Sequence, residues 1–157
     1  VDLALLRAGV RPAIRTEVVG AVEPGIIRRW ARAFGWFVAF DDDRHIALSP
    51  IPGLPRRVLS IDREQAPHAL RLGLALGYPP CCCRAADRIG EQNLDPWSAS
   101  MANRCFLGRF RSIDPSGYSE GLSLISHIPC SPCCAASLRQ VKDYSGGLDV
   151  RLGGSAK

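Results

Sequence analysis

Six of the chain's seven cysteines fall in two short bursts, each led by proline: "YPPCCC" at 78–83 and "IPCSPCC" at 128–134. This pairing constrains the fold more than any other feature. Adjacent cysteines are poor disulfide partners for one another, because their Cβ vectors point apart and a bridge between neighbours strains the peptide. Burial of cysteine as a small apolar side chain accounts for two or three scattered thiols, but not for clustering. Two thiol-rich segments far apart in sequence are expected to meet around an inorganic centre, since thiolate is the preferred donor for soft metals.

Local signals favour that reading. If Pro79 or Pro80 opens a helix, Cys81, Cys82 and Cys83 occupy its first turn. Ser131 and Pro132 read as N-cap and first residue of another helix, with Cys133 and Cys134 in its first turn. A helix start carries unpaired N–H groups and partial positive charge, which stabilise thiolates. The expected ligands are Cys81, Cys82, Cys130 and Cys134. Cys130 and Cys134 stand four residues apart, and Cys81 and Cys82 can serve two corners of one centre. Cys83 and Cys133 are the replacements if one of the four fails. Cys105, alone in "NRCFLG", reads as a buried structural thiol. His127, three residues before Cys130, is a ligand, a hydrogen-bond partner of one, a proton-transfer group or a structural histidine. His45 and His68 carry no assignment.

Zinc usually takes two separated C-x₂₋₄-C pairs, whereas one contributor here is a contiguous triplet. A [4Fe–4S] cluster accepts cysteines from adjacent positions because its irons sit at different corners of a cube. The expected cofactor is therefore a [4Fe–4S] cluster, with zinc as the alternative. The regular ferredoxin run, the C-x₃-C-x₂-C spacing of radical-SAM enzymes and the C-x-x-C-H of haem attachment are all missing. A thioredoxin-like dithiol at Cys130–Cys133 ranks third, because no βαβ unit surrounds it.

The 157 residues suit one domain or two joined subdomains. With 46% hydrophobic and 22% charged residues, the composition is that of a globular chain. No apolar run is long enough for a membrane span. The opening "VDLALLRAGVRPAIR" has an acid and arginines within its apolar run, so no secretory signal is expected. Net charge is +5, and apart from Lys142 and Lys157 every basic residue is arginine. That excess reads first as a solvated basic surface, with a small anionic substrate or an acidic redox partner as the functional alternative. The segment 103–111, with Arg104, Arg109 and Arg111 among Phe106 and Phe110, offers a stacking surface for nucleic acid. An amphipathic packing segment is the preferred reading there, because no recognised RNA-binding motif accompanies it.

Periodicity suggests an α+β fold. Residues 23–36 read as a helix, 36–40 and 45–48 as strands around an acidic turn, and 56–62 as a third strand. Helices follow from near Pro67 to Gly77, over 81–91, over 97–107 and over 132–144, with 108–121 a loop. The expected organisation is a cysteine-free α+β unit at 1–61, a helical cysteine-rich unit at 62–145 and a flexible Gly-rich tail at 146–157. Two functions fit: an iron–sulfur protein, as a lyase or a sulfur-transfer or redox accessory, or a zinc-organised module that binds protein or nucleic acid. Free thiols place either in the cytoplasm.

Overall fold

The computed structural model describes residues 1–18, 22–64, 67–104, 113–115 and 123–152. Among them the architecture is α+β: three antiparallel strands and seven α-helices. The chain runs α1 (Asp2–Arg7), β1 (Ile14–Glu17), α2 (Pro24–Ala33), β2 (Phe37–Phe40), β3 (His45–Ser49), α3 (Leu54–Asp62), α4 (Ala69–Ala75), α5 (Pro80–Ile89), α6 (Leu94–Arg104) and α7 (Ala135–Leu152). A short 3₁₀ turn at Glu91–Asn93 leads into α6.

β3 is the central strand, flanked by β1 and β2. Ala47 pairs with Arg15 on one side and Ala39 on the other. The β2–β3 turn is held by Asp41, whose Oδ1 accepts the N–H groups of Asp43 at 3.0 Å and His45 at 2.8 Å. Arg44 completes it at φ +67°.

The third strand is not at 56–62, where the sequence suggested one, but at Ile14–Glu17. Residues 54–62 are helical. Gly53 takes φ +77° before the helix and a proline occupies its first turn, where no N–H is needed. Pro55, Val58, Leu59 and Ile61 then bury one face. The β-branched run that resembled a strand is the inner stripe of a helix, and β1 was inconspicuous because only Ile14 of its four residues is buried.

Two other boundaries shift. α6 starts at Leu94 rather than 97, with Asp95 and Pro96 suiting its first turn. α7 starts at Ala135 rather than 132 and runs on to Leu152, so residues 146–152 of the expected tail are helical. The stretch 105–112, which holds Cys105 and most of the arginine–phenylalanine surface, lies outside the described residues.

Three apolar clusters hold the elements together. One packs Leu6, Ile14, Ala31, Ile46 and Leu48 between sheet, α1 and α2. A second packs Ala13, Ala39, Ala47, Val58, Leu59 and Leu76 between the sheet, α3 and α4. The third gathers Leu5, Cys82, Met101, Ile113, Ile125, Cys134 and Tyr144. Leu5 and Leu76 thus tie the two halves to each other.

α4 and α5 lie antiparallel and very close. A Cβ at Gly73 would stand 2.6 Å from Cys83 Sγ, so a side chain there would push the pair apart. Gly77 closes α4 at φ +81°, with its carbonyl accepting Gln140 Nε2 of α7 at 2.6 Å. These contacts fix the start of α5 beside the start of α7.

Candidate metal centre

Pro79 caps α5 in an extended conformation and Pro80 opens it, so the cysteine triplet does fall in the first turn. Facing it is residues 123–130, which have no regular secondary structure. Along them Ser123, Ile125, His127 and Pro129 are buried while the residues between are half-buried. This two-residue alternation is that of an extended chain, and it delivers Cys130 to the α5 start.

The local frame at α7 differs from the one expected. Ser131, Pro132 and Cys133 form a turn, closed by the Cys134 N–H donating to Ser131 O at 3.1 Å. Cys134 is the residue that caps α7. Its carbonyl accepts the Leu138 N–H at 3.0 Å, and its thiol accepts the Ser137 N–H. The cap is therefore a sulfur in place of the hydroxyl of Ser131. Cys133 is exposed and is not part of the group that Cys81, Cys82, Cys130 and Cys134 form.

The sulfurs of Cys81, Cys82, Cys130 and Cys134 all lie within 4.8 Å of one another. Cys134 Sγ stands 3.7 Å from Cys81 Sγ, 3.6 Å from Cys82 Sγ and 3.6 Å from Cys130 Sγ. Cys81 and Cys82 are 3.9 Å apart. Four soft donors at this spacing form a group that can hold a metal ion. The four residues brought together are the four the sequence singled out. Cys83 is not among them: its thiol donates to Tyr78 O at 3.6 Å, and burial pushes its pKa up to about 11.

Backbone and hydroxyl donors serve these sulfurs. The Cys130 N–H donates to Cys82 Sγ at 3.4 Å, and Ser137 Oγ stands 3.4 Å from the same sulfur. Burial raises Cys134, but hydrogen bonds from the Ser137 hydroxyl and N–H, then from Cys130 and Cys82, bring it down to about 6. Burial drives Cys82 strongly upward. Burial, reinforced by the neighbouring Cys134, takes Cys130 to about 11. In the bare protein one thiolate forms readily and its neighbours resist a second charge. A cation at the centre of the group reverses that resistance for all four.

Sequence reasoning singled out His127 but not Ser137, which links it to the sulfurs. His127 Nε2 lies 2.9 Å from Ser137 Oγ, so this nitrogen is engaged there rather than by the sulfurs. The ring is buried and tilted against Tyr78 with centroids 5.0 Å apart. Burial, aided by the charge of Arg11, lowers its pKa to about 4, so it is neutral at pH 7. Ser137 is fully buried three residues after Cys134. A serine one helical turn beyond a capping residue is the signal that could have found it.

No protein-family model matches the chain, nor does any curated protein or solved structure.

Proposed function

We propose that Cys81, Cys82, Cys130 and Cys134 bind a single zinc ion as four thiolates, and that the chain is a zinc-organised binding module. The observation that carries this reading is the size of the sulfur group. A zinc–sulfur bond of about 2.3 Å in a tetrahedron puts the sulfurs about 3.8 Å apart, and the close sulfur pairs here are 3.6 to 3.9 Å apart. Around a [4Fe–4S] cube each thiolate sits outside its own iron, so the four sulfurs stand much further from the centre. The cube would require the α5 start and residues 130–134 to move apart.

Four thiolates close the coordination shell of zinc, which is the pattern of a structural ion rather than a catalytic one. The ion would pin the α5 start to the α7 start and to residues 123–130, which have no strand or helix of their own. Ser137 and the Cys130 N–H would stabilise the charged sulfurs, and His127 would hold Ser137 in place. The binding face is on the other half. α2 exposes Ile26 and Trp30 together with Arg28, Arg29 and Arg32. Large exposed apolar and arginine side chains on one helix suit recognition of another macromolecule. Free thiols and a thiolate site both suit the reducing conditions of the cytoplasm.

Metal analysis of protein purified without oxygen tests the reading. One zinc per chain, no acid-labile sulfide and no absorption near 400 nm are expected. Brown protein with matched iron and sulfide would instead establish the iron–sulfur reading and overturn this one.

A further inference from the structure

Between α4, α5 and residues 126–128 lies a cleft of about 450 Å³. That volume falls within the usual range for small-molecule sites, about 300–1,000 Å³. Its walls are mostly apolar, with Leu72 from α4, Leu76 just after it, Ala86 from α5, and Leu94 and Ile128 beyond. Besides Ser126 and Gln92, polar groups mark two ends of the cleft. Tyr78, Cys82 and His127 mark the end nearest the sulfur group. His68 and Asp87 mark the other, because α4 and α5 are antiparallel and the seven residues of α4 span about 10 Å.

The far end is unusual for this chain. Among the described lining residues Asp87 is the one acidic side chain and there is no arginine or lysine, although the protein carries a net charge of +5. One oxygen of Asp87 accepts the Leu70 N–H at 3.3 Å, capping the start of α4. His68 stands two residues before Leu70 at that same start. Its Nδ1 is buried without a hydrogen-bond partner among the described residues. A buried polar atom left unpaired costs about 1–3 kcal/mol, and a donor entering the cleft would relieve it.

We propose that this cleft binds a small molecule with an apolar body and a protonated amine. The ammonium group donates to the second carboxylate oxygen of Asp87 and to Nδ1 of His68. The body lies along Leu72, Leu76 and Ala86 toward the Tyr78–His127 ring pair. An anionic ligand is disfavoured, since its charge would meet the Asp87 carboxylate with no cationic side chain among the described lining residues to offset it. The inference does not depend on which ion the cysteines hold.

The test is titration of the ¹⁵N-labelled full chain with 4-phenylbutylamine and, separately, with 5-phenylpentanoate, a carboxylate of matched length. Saturable shifts around α4 and α5 are expected with the amine, including the His68 ring nitrogens. The carboxylate should bind at least about ten-fold more weakly, the loss of one charge-assisted hydrogen bond. Asp87→Asn keeps an acceptor for the Leu70 N–H, so its thermal melt should match the parent while amine affinity falls about ten-fold. Ala86→Leu fills the cleft and should abolish binding. No saturation by the amine, equal or tighter binding of the carboxylate, or unchanged affinity in Asp87→Asn would each overturn the proposal.

Discussion

The sheet-bearing half and the cysteine-bearing half are built on different principles. In the first, a central strand buries Ile46, Ala47 and Leu48 in succession, and α2 and α3 cover it with aliphatic side chains. Its ion pairs include Arg15 with Asp62 at 2.7 Å and the buried Arg11 with Asp2. In the second, the core cluster itself contains Cys82 and Cys134, and His127 and Ser137 are buried beside it. The segment that closes this core, 123–130, makes no ladder. An apolar core follows from hydrophobic pattern alone. On the proposed reading, a core that includes thiols and an extended segment gains part of its order from the ion the thiols hold.

The largest expected effect breaks the second half and spares the first. Cys134 touches all three other sulfurs and caps α7, so Cys134→Ser should abolish metal binding. Structural zinc sites contribute on the order of 10 kcal/mol. Hydrogen exchange should show protection lost over 123–144 while amides of β1, β2 and β3 keep theirs. Unchanged protection over 123–144 would mean that this half stands without an ion.

The converse variant sharpens the contrast. Leu48 is 2% exposed at the centre of the sheet. Leu48→Ala should cost roughly 2–5 kcal/mol in thermal or denaturant unfolding, yet the purified protein should still carry its full complement of metal. Loss of metal in this variant would show that the two halves are one cooperative unit, as the shared packing of Leu5 and Leu76 could make them.

A smaller effect separates acid sensitivity from metal release. His127 is neutral when folded, with a pKa near 4 against about 6.5 when exposed. Below pH 6.5 the unfolded chain takes up a proton that the folded chain refuses. The contribution of His127 is therefore complete above 6.5 and is lost as pH falls toward 4, amounting to roughly 3 kcal/mol. His127→Gln can still hydrogen-bond Ser137 and should flatten stability across this window relative to the parent. Metal release, followed in parallel, should occur in both proteins.

The first half was legible where pattern and punctuation agreed. The 3.6-residue spacing from Ile26 to Phe34, ended by Gly35, gave α2, and the acidic turn gave the β2–β3 hairpin. The pattern misled at Val58–Ile61, where β-branched residues lie on a helix stripe and tertiary packing outweighs strand propensity. In the second half the meeting of the two cysteine bursts was readable from their clustering, and the four that converge from the adjacency of Cys81 and Cys82 and the four-residue spacing of Cys130 and Cys134. Its geometry was not. The sequence placed Ser131 as the cap of α7, and nothing in single-residue preference says that a cysteine will take that role when its sulfur has a second task. The spacing of the four sulfurs, on which the proposed choice of one ion over a cube rests, is a distance that spacing along the chain cannot supply.

The smallest effect concerns the cysteine that both halves leave unused. Cys133 lies between the turn residue Pro132 and the cap residue Cys134, and it is exposed. A surface substitution away from any such feature shifts stability by no more than about 0.5 kcal/mol. Cys133→Ser should therefore leave metal content and melting temperature unchanged. In the parent protein Cys133 should react first with iodoacetamide among the described cysteines, and Cys81, Cys82, Cys130 and Cys134 should become reactive only after a chelator strips the metal. If Cys133→Ser loses metal, then the turn at 131–133 opens to bring its thiol inward, and the ion is held by a different four.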